Sequence, residues 1–95
     1  MVDGVYDITV VAMGQERGGT ITVKTDGTKM TGVLDALGHT FEINEGTADE
    51  NSFSFAFRAN GQKLSLTAKV DAAGGLEGDG KFGFIPMVVL GKKKQ

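Results

Sequence analysis

The chain has 95 residues, with ten Lys and Arg against twelve Asp and Glu for a net charge of −2, no cysteine, one His, one Pro and fifteen Gly. That length makes one domain, 1–95, with a single modest core. The charge balance argues against a nucleic-acid footprint, the missing cysteines exclude disulfides and thiolate metal sites, and no apolar run approaches the ~20 residues of a membrane helix.

In chain order, Gly4 to Ala12 alternates, with Tyr6, Ile8 and Val10 on one face and Val5 and Val11 on the other. Gly14 to Gly19 reads as a polar loop. Thr20 to Lys24 alternates again and ends at Asp26-Gly27, a two-residue hairpin turn that pairs Val23 with Met30. Lys29 to Ala36 is followed by a Leu37-Gly38 turn, a His39–Asn44 strand and an acidic loop from Glu45 to Asn51.

Phe53, Phe55, Phe57 and Ala59 then alternate with small or polar residues up to Asn60-Gly61. This turn is the strongest hairpin signal in the chain, because both central residues of a type I′ turn need positive φ. Leu64, Leu66, Ala68 and Val70 alternate on the return. After a turn at Asp71–Gly75, Leu76 to Phe82 alternates, Gly83 interrupts, and Phe84 to Leu90 closes the pattern. Turns at Leu37-Gly38 and Asn60-Gly61 oppose Leu34 to Phe41 and Phe57 to Leu64, so apolar sets meet apolar sets. Met30, Phe53 and Leu76 each start a strand, 23 residues apart. No window has a sustained helical period.

The expected fold is all-β, an eight-stranded antiparallel up-and-down (meander) β-barrel. Closure hides both sheet edges, and every connection is hairpin-like. The inward set is Tyr6, Ile8, Val10, Ile21, Val23, Met30, Leu34, Phe41, Ile43, Phe53, Phe55, Phe57, Leu64, Leu66, Val70, Leu76 and Phe82, with Gly32, Gly78 and Gly80 beside them and no charged residue. The inward glycines either let strands bend sharply or leave room for a ligand.

Titratable groups near this face are few. Tyr6 and His39 are read as a core aromatic and a turn residue, or else as polar contacts at the mouth of an apolar pocket. The candidate ligand-binding residues are Tyr6, His39, Phe41, Phe55, Phe57, Leu66 and Phe82. No metal, cofactor or catalytic residue is expected: a single His and an acidic loop without calcium-loop spacing do not make a site. The last strand is apolar on both faces. Val5, Val11, Ile85, Met87 and Val89 are taken as its outward patch with the first strand, a candidate face for a homo-oligomer or an enzyme partner. Lys92 to Lys94 reads as a solvated tail.

Gly4-Val5-Tyr6 resembles the Gly-x-Trp opening of calycin-type barrels, the lipocalins and their relatives, with Tyr for Trp. Asp26-Gly27-Thr-Lys-Met30-Thr31-Gly32 is similar to the hairpin of streptavidin-like barrels, but with no Trp there is no aromatic biotin lid. The whole chain resembles small bacterial calycin-like β-barrel domains that occur alone or beside enzyme domains. The matching segments are Asp26 to Gly32, Gly46-Thr-Ala-Asp49-Glu-Asn51 and Gly80-Lys-Phe82-Gly83. That resemblance implies a fold rather than an activity.

The function expected is that of a non-catalytic module that binds an apolar small molecule or serves assembly. The alternatives are an accessory subunit docked on an enzyme, or a small barrel lyase or isomerase using Tyr6 and His39. With no signal peptide visible, a cytoplasmic location is expected, without nucleic-acid or membrane partners.

Overall fold

The computed structural model describes residues 2–36, 38–59 and 61–94. The strands are β1 (Gly4–Ala12), β2 (Gln15–Asp26), β3 (Lys29–Ala36), β4 (His39–Ala48), β5 (Ser52–Ala59), β6 (Gln62–Val70), β7 (Gly75–Phe82) and β8 (Ile85–Lys93). Each pairs antiparallel with the next, and β8 returns to β1, closing an eight-stranded meander barrel. Among the described residues there is no helix long and apolar enough to cross a membrane.

The alternating pattern fills the barrel. Tyr6, Ile8, Val10, Ile21, Val23, Met30, Leu34, Ile43, Phe53, Phe55, Leu64, Leu66 and Leu76 are buried, while Phe41, Phe57, Val70 and Phe82 pack partly buried against them. No described polar or charged residue is buried. Gly32 and Gly80 have a reason that neither bending nor ligand room supplied: close strand approach. A Cβ at either would drive into a carbonyl oxygen of the neighbouring strand, of Thr22 and of Ser65 respectively.

Four expectations about boundaries change. β4 runs on to Ala48, so Glu45 to Ala48 are strand and the acidic loop shrinks from Glu45–Asn51 to 49–51. The Gly14–Gly19 loop is in fact the start of β2, and the turn is Met13-Gly14. The second turn is Gly27-Thr28, so Thr25 opposes Met30 and Val23 opposes Gly32. This moves the pairing by two residues and therefore leaves every side chain on its expected face. Lys92 and Lys93 continue β8 rather than forming a free tail. The predicted pairs Leu34↔Phe41 and Phe57↔Leu64 are present. The turn residues Leu37 and Asn60 lie outside the described residues.

The outward patch also needs correction. Met87 and Val89 are 5 % and 2 % exposed and belong to the core, and Ile85 shares their face. The reason is the turn: Gly83-Phe84 is a two-residue connection that opposes Phe82 to Ile85, so Ile85 takes the inner face of Phe82. The outward apolar residues of β8 are Val88 and Leu90, 44 % and 47 % exposed, and Val11 lies directly opposite Val88. Val5 and Val11 do face outward, half-buried.

One seam differs from the rest. β4 and β5 share only the pairs Thr47↔Ser54 and Ala48↔Phe53, whereas the other neighbours are paired along most of their length. Between Met30 and Gly32 the β3–β4 register shifts, with Asn44 and Glu45 opposite Thr31 alone. Such a bulge bends its strand, and above it β4 makes no ladder pair with β5 among the described residues.

Candidate functional site: the open end of the barrel

The two ends of the barrel are built differently. The lower end carries the N-terminal segment, the Gly27-Thr28 turn and the loops at 49–51 and 71–74. Val2 is wholly buried beneath Tyr6, whose hydroxyl donates to the Val2 carbonyl at 2.8 Å. Asp3 accepts from the Thr25 amide at 2.9 Å and from the Thr25 hydroxyl. These hydrogen bonds hold the Asp3 carboxyl below its ordinary value of 3.8. Burial, then the Asp3 charge, pushes the Tyr6 phenol above 10.0.

The acidic loop is occupied by its own turn. Asp49 accepts from the Ser52 hydroxyl at 2.7 Å and the Asn51 amide at 3.2 Å, and the same bonds lower its carboxyl below 3.8. Asp71 likewise binds the Ala73 and Gly75 amides at 2.9 and 2.8 Å. No group of described His, Asp or Glu side chains could hold a metal ion.

The upper end, with turns at Met13-Gly14 and Gly83-Phe84, is open. A pocket of about 360 Å³ enters it, lined by Val10, Ala12, Met13, Gln15, Arg17, Phe82, Ile85 and Met87. Arg17 directly opposes the buried Val10, so it occupies an inward position at the rim. It is a charged residue on a face expected to have none. The reading of Gly14–Gly19 as a loop hid it; extending the β1 alternation through a two-residue Met13-Gly14 turn would have exposed it.

Across the mouth from this pocket, Phe41 and Phe57 bridge the loosened β4–β5 seam with ring centroids 5.2 Å apart. Below them Phe57, Phe55 and Phe53 form a near-parallel ladder with spacings of 5.9 and 6.4 Å. Above, His39 is exposed, 5.8 Å from Phe41.

The candidate ligand residues therefore divide. Phe41, Phe57 and Phe82 are half-buried at the open end, and His39 stands above them. Phe55 and Leu66 oppose one another in the closed core beneath. Tyr6 lies at the other end, fully buried, and does not meet His39. The two could not act together on one substrate in this arrangement. Of the candidates, Phe82 lines the upper pocket, and Tyr6 borders a larger and more polar hollow of about 600 Å³ at the lower end, beside Asn51, Asp71 and Lys93; Ala12, Gln15, Arg17, Ile85 and Met87 were not among them.

No family model matches the chain, and no curated protein matches it significantly. Among solved structures, a crystal structure of an asparagine-to-alanine mutant of the fluorescent protein UnaG superposes with a TM-score of 0.54 at 13 % identity. The match covers 98 % of this chain and 96 % of that one. The two share the closed eight-stranded barrel fold. At that identity the likeness extends to the fold alone, and the residues at the mouth of this barrel carry whatever is particular to it.

Proposed function

We propose that this calycin-like barrel binds an apolar small molecule with an anionic or strongly accepting end, held in the open upper mouth. The observation that supports this reading is the apolar pocket of about 360 Å³ with one cation, Arg17, at its rim. A concave apolar site with few polar groups is the usual form of a small-molecule site. Val10, Phe82, Ile85 and Met87 would shed water onto the ligand's apolar body, and Arg17 would meet its polar end with a fork of donors. The filled core below limits the ligand to the mouth.

The test is a fluorescence titration with anilinonaphthalene sulfonate, which has an apolar ring system and one anionic group. Saturable binding at one site is expected. Arg17→Ala should weaken it several-fold, and Ala12→Phe, which fills the pocket, should abolish it. Tyr6→Phe, at the far end, should leave it unchanged. Binding that survives Ala12→Phe in a folded protein would remove the pocket from consideration.

A second reading rests on the outward strip of Val11, Val88 and Leu90, which β1 and β8 present side by side. It supports self-association, with a second copy covering the strip. Light scattering on Val88→Lys against the parent would show the loss of a dimer; a parent that is monomeric at high concentration ends that reading.

A further inference from the structure

Three cations near the open end stand where like charges should be avoided. Arg58 and Lys63 are directly opposed across β5 and β6. Lys81 opposes Ser65, two residues from Lys63 on the same face, and so sits diagonal to it. All three side chains are exposed. Like charges directly opposite on a sheet are destabilising. Among the described residues none of the three enters an ion pair, the one such pair being Lys94–Asp7 at the other end. Asp79, two residues below Lys81, is the nearest acid along β7; Glu42 stands on the outer face of β4, across the loosened seam from Arg58 and in no ion pair with it, and Glu16 and Asp35 lie farther away on β2 and β3.

Apolar side chains protrude beside this cluster. Phe84 is 100 % exposed in the turn just above Lys81 and Phe82, and Met13 is 80 % exposed in the neighbouring turn of the rim. Met13 also has φ 53, a left-handed conformation that Asn or Gly adopts far more readily. Local energetics would place a polar residue at both tips.

We infer that the open end of the barrel docks peripherally on an anionic lipid surface. Arg58, Lys63 and Lys81 face the headgroups, and Phe84 and Met13 enter the headgroup–acyl boundary. The like charges become complementary to a negative surface instead of repelling one another, and the exposed tips find an apolar layer. Isolated tips on turns suit a deformable lipid layer better than a protein partner, which would need a continuous packed face. The purpose assigned to the docking rests on the proposed function, because it brings the pocket mouth to a source of apolar ligand. Its chemistry does not. Among the described residues no helix is long and apolar enough to cross a membrane, and the inference concerns contact at the surface alone.

The test is co-sedimentation with vesicles of phosphatidylcholine, with and without phosphatidylglycerol. The protein should bind the anionic vesicles, less so in high salt, and not the neutral ones. At about five-fold per cation, Arg58→Gln with Lys63→Gln and Lys81→Gln together should weaken binding roughly a hundred-fold. The matched change at the closed end, Lys92→Gln with Lys93→Gln and Lys94→Gln, should matter little. Phe84→Ser should weaken binding, and Met13→Asn should weaken it while raising the melting temperature, which separates docking from folding.

Failure to bind anionic vesicles overturns the inference, as does an equal loss from the two triple variants. Equal affinity for soluble polyglutamate, unchanged by Phe84→Ser, would indicate an acidic protein partner and also overturn it. The dye titration in vesicle-free solution keeps the two proposals apart. Dye binding without vesicle binding removes the docking alone; vesicle binding without dye binding removes the pocket and leaves the docking standing.

Discussion

The lower end of this barrel is plugged by the chain's own N-terminal segment, and the upper end carries the apolar mouth. Below, backbone bonds cross between hairpins: the Ala48 amide donates to Thr28, Val70 to Asn51, Lys93 to Gly74 and Lys94 to Val5. The N-terminal segment fills the opening with Val2 and fastens itself through Asp3 and Tyr6. Above, among the described residues, the Gly83 amide donates to Lys63, and beyond the Thr47↔Ser54 pair aromatic rings bridge the β4–β5 seam. A short chain with a limited core has put its polar satisfaction at one end and left apolar side chains half-covered at the other. That is the division expected of a scaffold and a site.

The largest expected effect separates the two halves of the phenylalanine ladder. Phe53→Ala, low in the barrel and 2 % exposed, should cost about 3–5 kcal/mol in urea unfolding. Phe57→Ala, half-buried at the mouth, should cost distinctly less, since part of its surface is already in water. Equal losses would mean that the ends are equally packed.

Next, Tyr6→Phe leaves the buried Val2 carbonyl without its donor and should cost about 1–3 kcal/mol. His39→Ala, at the exposed rim, should stay within about 0.5 kcal/mol.

The pH dependence should belong to the closed end. The Asp3 carboxyl is lowered in the folded state, so between its ordinary value of 3.8 and its folded value the unfolded chain binds more protons. Its stabilisation is complete above that ordinary value and is lost as the pH falls through the folded one. Asp3→Asn should flatten this acid limb in denaturation curves. Tyr6 has the opposite sense: its raised phenol makes stability fall as the pH climbs past 10.0. As it is the chain's one tyrosine and there is no tryptophan, phenolate absorbance follows this group without interference.

The smallest effect is Met13→Asn. Relief of the left-handed methionine should stabilise the protein by on the order of 0.5–1 kcal/mol. Thermal melts that show no gain would mean that Met13 is held by contacts at the rim.

The fold was legible because strand alternation and two-residue turns repeat the same information. Phe57, Leu64 and Phe82 fall on one face through successive hairpins, and a register error of two residues at Gly27-Thr28 did no harm. The site was less legible, for two physical reasons. β8 is apolar on both faces, so composition could not say whether Met87 or Val88 pointed inward; the turn after Phe82 decides it. Arg17 was hidden because Gly18 and Gly19 make the start of β2 look like a loop. The lower plug was not legible at all. Val2 precedes any periodic segment, and its burial depends on the hydroxyl of Tyr6 reaching back four residues.

A tube sewn firmly down seven of its joins and lightly down the eighth yields along one line. Amide exchange should therefore begin on the upper stretch of β4 and the facing part of β5, long before the β1–β8 closure gives way. Molecules too bulky for the rim would have a sideways route, past Phe41 and Phe57, that needs no unfolding of the remainder.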